Sequence, residues 1–317
     1  MGLPGGVAEP VRRALEEHGL GRRIERVEPV AGGCISHGAR LATDAGASLF
    51  LKWNAAAPAG MFAAEADGLE ALGAADALRV PAPIAWSDAP DDGSQVSWLL
   101  MEYVHPGPAT PAAEERLGVG LAGVHASTAS LGSGAIPTRT SAAVGGAFGW
   151  RRDNWIGSLP QANPPSPGWG HFWSEHRLRP QLERARAGGY LADRMLDGVL
   201  ERTPAALADV VHPELVHGDL WGGNWFAAQG GEPVLIDPAV YLGHGEVDLA
   251  MSELFGGFGA GFYAAYRDAH GITEAYEAYR RDLYQLYYLL VHVNLFGASY
   301  EAGALRAARR VVAALSG

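Results

Sequence analysis

Apolar positions fall at helical spacing near the start, where Val7, Val11, Ala14 and Leu15 line one face and predict an amphipathic helix over residues 7–17. Strand-like segments follow at 24–30, 38–43 and 49–53, with Asp44-Ala45-Gly46 as a hairpin turn between the last two. Residues 59–72 return to helical spacing, and 96–104 read as a buried strand. His105-Pro106-Gly107-Pro108 then breaks the pattern, because proline removes a backbone donor and fixes φ. The expected division is an N-terminal lobe of residues 1–104 and a C-terminal lobe of 105–317, with a hinge at about 101–107.

Beyond that break helical spacing dominates, at 111–127, about 172–187, 191–202, 246–255, 261–270, about 274–296 and 300–315. A Gly/Pro-rich stretch at about 136–170 reads as loop, and a short hairpin is expected where Trp225-Phe226 and Val234-Leu235-Ile236 flank Gly230-Gly231. A strand-rich first third and a helix-rich remainder predict an α+β chain of two unequal lobes: a small antiparallel sheet with a helix pair, then a larger, mainly helical lobe.

Composition narrows this. The chain of 317 residues is 48% hydrophobic, enough for two cores and too apolar for disorder. A formal net charge of −11 disfavours nucleic acid or an anionic membrane as the main partner. Residues 1–10 lack the apolar core of a secretory leader, and the longest apolar run, 283–296, is too short and too interrupted to span a bilayer. Cys34 is the only cysteine, so no intrachain disulfide can form, and the expected setting is the cytoplasm. The expected state is a monomer, with Cys34 as the route to a disulfide-linked dimer.

The chemistry concentrates in Val216-His217-Gly218-Asp219-Leu220-Trp221-Gly222-Gly223-Asn224 and in Leu235-Ile236-Asp237. The hairpin between them brings Asp219, Asn224 and Asp237 to one edge. Such a set suits Mg²⁺, which takes a few hard oxygen ligands and keeps its waters, and leaves one carboxylate to orient an attacking hydroxyl. Taken alone it also fits a capped hairpin with surface acids.

Of the 24 basic side chains, all but Lys52 are arginine. Codon bias accounts for the arginines; a lysine kept against it suits phosphate oxygens as a compact point charge. Lys52 shares a strand face with Phe50. In the next helix Phe62, Glu65, Leu69 and Leu72 form one stripe, so Glu65 is either a buried counter-ion for Lys52 or an edge residue reaching water. Gly32-Gly33-Cys34-Ile35-Ser36-His37-Gly38 lies between two strands, where glycines let backbone amides approach phosphates; an ordinary hairpin is the alternative. Leu99-Leu100-Met101-Glu102-Tyr103-Val104 offers backbone groups to an adenine edge. His18 and His125 read as packed or exposed, and Tyr276, Tyr279, Tyr284, Tyr287 and Tyr288 as core and rim aromatics.

The order of glycine loop, lysine strand, glutamate helix, hinge strand and Asp/Asn/Asp hairpin resembles the protein-kinase-like superfamily. His217-Gly218-Asp219 resembles its small-molecule kinases. The chain resembles, more narrowly, the fructosamine (ketosamine 3-) kinase family through Gly32-Gly33-Cys34-Ile35-Ser36, Asp153-Asn154-Trp155-Ile156-Gly157 with Gln161 and Asn163, Trp221, Asp237-Pro238-Ala239, Gly243 to Met251 and His292 to Gly297. The likeness spans about 24–300.

The resemblance implies an ATP- and Mg²⁺-dependent kinase acting on ketosamines, small or protein-bound, at the sugar 3-hydroxyl. Lys52, oriented by Glu65, would hold the α/β-phosphates beneath Gly32, Gly33, Cys34, Ile35 and Ser36. Met101 to Val104 would take adenine through the Glu102 carbonyl and the Val104 amide. Asp219 would accept the hydroxyl proton, Asn224 and Asp237 would hold Mg²⁺, and Trp221 and His244 would join Asp219 on the substrate side. Asp248 would brace the catalytic loop. Asp237-Pro238-Ala239 stands where protein kinases carry Asp-Phe-Gly, which argues against a Phe-driven switch. Oxidation of Cys34 would block ATP if its thiol is activated by neighbouring amides; an inert turn residue is the alternative. A kinase for another alcohol, such as an aminoglycoside or a choline-like acceptor, and a non-catalytic ATP-binding regulator are the competing readings.

Overall fold

The computed structural model describes residues 3–30, 36–88, 96–130 and 147–316. The first part runs α1 (Gly5–Glu17), β1 (Ile24–Val30), β2 (His37–Thr43), β3 (Ser48–Asn54), α2 (Met61–Ala74), β4 (Pro83–Ser87) and β5 (Ser97–Glu102). Its strands form one antiparallel sheet in the order β1-β2-β3-β5-β4.

The alternation of side chains sorts the two faces of this sheet. Leu49 and Leu51 of β3, with Leu41 and Leu100, pack against Val7, Val11 and Leu15 of α1. Phe50, Leu99 and Met101 point the other way, onto Phe62, Ala66 and Leu69 of α2. Lys52 is in phase with Phe50 and so lies on the α2 face, as its spacing predicted. The strand β4 was not expected from the sequence. It is a short edge strand that begins at Pro83 and exposes Trp86, so it lacks a clean alternation, and an edge tolerates a proline that a central strand would not.

The remainder is mainly helical. After α3 (Pro111–Ser130) come β6 (Asn154–Ile156), β7 (Leu159–Gln161) and α4 (Trp169–Phe172). A π-helical turn (Trp173–Leu178) joins α4 to α5 (Arg179–Ala187), followed by α6 (Met195–Ala206). Then come β8 (Glu214–Val216), β9 (Trp225–Ala227), β10 (Pro233–Leu235) and β11 (Tyr241–Gly243). The chain closes with α7 (Glu246–Leu254), α8 (Ala260–Ala269), a π turn (Tyr276–Arg280) leading into α9 (Arg281–Phe296), and α10 (Glu301–Ala314).

The helices expected from periodicity are present, with ends shifted by about a turn or less. The expected loop at 136–170 needs correction. Part of it lies outside the described residues, but β6 and β7 form a hairpin inside it and α4 starts near its end. Three-residue strands rich in Asn, Pro and Gln give too few alternations to register as a pattern. Among the described residues no helix is long and apolar enough to cross a membrane.

The link between β5 and α3 is tied to the hairpin of β9 and β10. Gly107 N donates to Ala227 O at 2.7 Å, and Gln229 N to His105 O at 2.9 Å. Val104 packs with Ala228 and Val234. Arg79 reaches both Glu102, at 2.6 Å, and Glu232, at 3.0 Å.

Candidate active site

A strand, a helix and two turns converge on one cluster of charged side chains. β3 carries Lys52, α2 carries Glu65, and the turns after β8 and β10 carry Asp219 and Asp237. Lys52 Nζ donates to Glu65 Oε1 and Oε2 at 2.9 and 2.8 Å and to Asp237 Oδ1 at 3.0 Å. Glu65 is therefore the buried counter-ion and not the edge residue. Burial works against the ammonium, but the Asp237 and Glu65 carboxylates outweigh it and raise Lys52 above the ordinary lysine value. Burial pushes Glu65 upward, the Lys52 charge pulls it back, and Asp237 on the same ammonium leaves the net direction upward.

Asp219 lies across from this pair. Asn224 Nδ2 donates to Asp219 O at 2.8 Å and to Asp219 Oδ2 at 3.3 Å. Burial, with the nearby Asp237 charge, raises the Asp219 carboxyl to about 7. Because the amide nitrogen of Asn224 is turned to Asp219, its Oδ1 carries no hydrogen bond among the described residues, and neither does Asp237 Oδ2. Two hard oxygens on adjacent turns are thus available, the donor set that Mg²⁺ takes.

The backbone around them is held in unusual conformations. Gly218 has φ +82°, and a Cβ there would overlap the Ala239 carbonyl. Asp237 has φ +54°, a left-handed conformation that Asp tolerates better than most residues. Ala239 N donates to His217 O at 2.8 Å, which joins the two turns. His217 Nε2 lies 2.9 Å from Ile236 O and its Nδ1 accepts from Asp219 N at 3.3 Å, so the bonding network assigns the proton to Nε2. Burial lowers the His217 pKa, in keeping with a neutral ring.

Asp248, at the start of α7, accepts from His217 N at 2.7 Å and Gly218 N at 2.8 Å. It has the bracing position expected of it. His125 Nε2 sits 3.1 Å from Asp248 Oδ2 and its Nδ1 2.8 Å from Tyr266 Oη. His125 is thus packed, as its helical spacing suggested, and also bound to the loop brace.

Trp221 is 37% exposed beside Asp219. Its ring lies over Gly223, where a Cβ would overlap it. Ser36 has a buried Oγ without a hydrogen-bond partner among the described residues, and it precedes the strand in which Gly38 pairs with Lys52. Gly32, Gly33, Cys34 and Ile35 lie outside the described residues, and with them the expectation about the Cys34 thiol. Met101 is buried against α2. The Tyr103 ring stacks edge-on with His105, and the Val104 amide makes no backbone hydrogen bond among the described residues.

His244 is expected on the substrate side and does not join the cluster. Gly243 pairs with Glu214 and Tyr241 with Val216, so His244 lies past the Glu214 end of β8 while Asp219 follows the opposite end. His244 Nδ1 bonds Tyr284 Oη at 2.8 Å, and burial lowers its pKa to about 4. It braces the helical core.

Sequence reasoning named the Asn154/Gln161/Asn163 segment without assigning it work. Asn154 Nδ2 donates to Val240 O at 2.8 Å, and Gln161 Nε2 to Asn154 Oδ1 at 2.8 Å and Ala239 O at 3.3 Å. Arg177, fully buried, donates to Asn163 Oδ1 at 2.6 Å and Ala162 O at 2.7 Å, with its guanidinium 4.1 Å from the Tyr241 ring centroid. This polar core backs the turn after Asp237. In the sequence the segment stands out only through the family resemblance, with no periodicity that gives its amides a buried role.

Comparison with known proteins agrees with this geometry. The family model described as fructosamine kinase matches residues 8–314. The chain is 41% identical over 284 residues to a probable ketoamine kinase of Synechocystis sp., covering 88% of each chain. It is 37% identical over 300 residues to the chloroplastic protein-ribulosamine 3-kinase of Arabidopsis thaliana, covering 94% of this chain and 86% of the relative. The crystal structure of a candidate fructosamine-3-kinase from Thermobifida fusca superposes with a TM-score of 0.81 at 35% identity, covering 98% of this chain and 100% of that one.

Proposed function

The chain belongs to the fructosamine kinase family, and from that premise we propose how its residues transfer phosphate to a ketosamine. It is a phosphotransferase with an alcohol acceptor, of the ATP-using kinase type. Residues 1–104 form the nucleotide lobe in this reading and 105–317 the catalytic lobe. Lys52 holds the α/β-phosphate oxygens, with Glu65 keeping its ammonium in place. The free Val104 amide and the Glu102 carbonyl take the adenine edge, between Met101 and Tyr103, and residues 32–36 cover the phosphates.

Asp219 accepts the proton of the sugar hydroxyl as that oxygen bonds to the γ-phosphorus and the bond to ADP breaks. Asn224 Oδ1 and Asp237 are the residues that would hold Mg²⁺, which when bound neutralises phosphate charge. Trp221 forms the wall against the sugar, and the hydroxyl is O3, as the name of the Arabidopsis relative also indicates for that protein. A buried base with its carboxyl near neutrality serves a reaction that needs positioning and charge neutralisation more than covalent work.

The observation that carries this reading is the Lys52 ammonium between Glu65 and Asp237, with Asp219 and Asn224 on the adjoining turn. Its test is a coupled ADP-release screen across fructosamine, ribulosamine and erythrulosamine, free and protein-bound, with aminoglycosides and choline as comparators. ADP release with ketosamines above all comparators is expected. Release with aminoglycosides alone would overturn the substrate, and the absence of ADP release with every acceptor would favour the non-catalytic alternative.

A further inference from the structure

Two consecutive tyrosines on α9 reach the two loops that carry the reaction. Tyr288 Oη donates to Gly218 O at 2.7 Å, one residue before Asp219. Tyr287 Oη donates to Gln161 Oε1 at 2.6 Å, and Gln161 in turn holds Ala239 O, two residues past Asp237. Neighbouring positions on a helix point about 100° apart, so one rigid element can serve both loops at once.

Both side chains are removed from water, at 1% and 0% exposure. A hydroxyl deleted there leaves its acceptor without a substitute donor, which costs more than the bond itself contributed. Burial raises both phenols above the ordinary tyrosine value, so each remains a protonated donor. The loops they hold include the left-handed residues Gly218 and Asp237, conformations that persist only where surrounding contacts over-determine them.

We propose that Tyr287 and Tyr288 are positioning residues that set the separation of Asp219 and Asp237, one hydroxyl for each loop. The proposal rests on the reading of Asp219 as proton acceptor and Asp237 as metal ligand. Neither tyrosine touches the reacting atoms. The tyrosines sit on a helix that follows both loops in sequence, so the spacing of the site is fixed from outside the segments that form it.

The test compares Tyr287→Phe, Tyr288→Phe and Tyr284→Phe in the full chain. Tyr284 Oη bonds Trp169 Nε1 and His244 Nδ1, away from both loops, and serves as the structural control. Binding of Mn²⁺ with ADP is followed by electron paramagnetic resonance, and turnover by ADP release. Tyr287→Phe should weaken Mn²⁺ binding by roughly tenfold or more. Tyr288→Phe should lower kcat by about 10–100-fold with the KM for ATP unchanged. Tyr284→Phe should lower Tm without moving either quantity.

Values for Tyr287→Phe and Tyr288→Phe that match the control in both Mn²⁺ affinity and kcat would overturn the proposal. Should Tyr287→Phe fail to fold, Gln161→Ala interrupts the same link and must weaken Mn²⁺ binding equally. A wild-type protein that binds Mn²⁺ with ADP but phosphorylates no ketosamine would overturn the substrate reading instead. The Mn²⁺ comparison would still decide the role of Tyr287.

Discussion

Lys52 Nζ lies 3.0 Å from Asp237 Oδ1, although 185 positions separate the two residues in the chain. This contact and the Lys52–Glu65 pair join the sheet, α2 and the turn after β10 in one charged cluster. Lys52 is 14% exposed and Glu65 8%, so removing Lys52 leaves the Glu65 carboxylate uncompensated at low exposure, while removing the Glu65 charge leaves Lys52 held by Asp237 alone. Lys52→Ala and Glu65→Gln should each lower kcat/KM by about 10²-fold or more, since both disturb alignment of the phosphates. Asp219→Asn should remove nearly all turnover while keeping Tm within a few degrees. Steady-state rates beside thermal melts check all three, and a wild-type rate in Lys52→Ala or Asp219→Asn would contradict the assigned roles.

Trp221 is partly exposed next to Asp219 in the chain, with its ring over Gly223, and in the proposed reading it faces the acceptor. Trp221→Ala should therefore raise the KM for ketosamine by roughly tenfold, within the 1–3 kcal/mol that an apolar wall contributes to selecting a substrate. The KM for ATP should stay put. Initial-rate kinetics with each substrate varied in turn separate the two, and a rise confined to ATP would contradict the placement.

Gly218 must be glycine for two reasons, its φ of +82° and the Ala239 carbonyl that a Cβ would strike. Gly218→Ala should cost on the order of 3 kcal/mol of stability and displace Asp219, with kcat falling by about 10²-fold. Urea unfolding and turnover measured on the same sample report both. A stable, fully active variant would show that the loop has another conformation open to it.

Glu214 and His270 give the fold a pH dependence distant from the reacting groups. Their side chains are 2.8 Å apart. Burial opposes ionisation of Glu214, but His270, with charge from His125 and His244 and the Gly245 N–H, outweighs it and holds the carboxyl at about 2. The stability this contributes is complete above the ordinary glutamate value of about 4.3 and is lost as pH falls through about 2. Hydrogen bonding to Glu214 raises His270, so its contribution is complete below about 6.5 and is lost as pH rises through the higher folded value. Glu214→Gln should flatten both flanks of the Tm profile, the acid flank by on the order of 3 kcal/mol. Unaltered flanks in the variant would assign the pH dependence to other groups.

The parts of the site that sequence made legible share a property: each is local or periodic. The Phe62/Glu65/Leu69/Leu72 stripe announced a buried carboxylate, and a lone lysine in an arginine-rich chain announced its partner. The turn residues around Asp219, Asn224 and Asp237 announced the cleft edge. The bonds that hold these parts in place were hidden, because a tyrosine facing a core has the same periodicity whether or not its hydroxyl is used. Tyr287 and Tyr288 were therefore read as packing aromatics, and β11, β6 and β7 were too short to leave an alternation. His244 was expected on the substrate side from the family resemblance alone. The antiparallel pairing of β8 with β11 carries it to the other end.

Reducing sugars attack unprotonated, accessible lysines, and the chain carries a single lysine side chain. Lys52 is nearly buried, bonded to two carboxylates and held in its protonated form, which are the conditions under which an amine reacts least. Lysine side-chain glycation of this chain is thus confined to one shielded ammonium, and a lysine-directed label that does enter the fold reports on the Lys52–Glu65–Asp237 cluster alone.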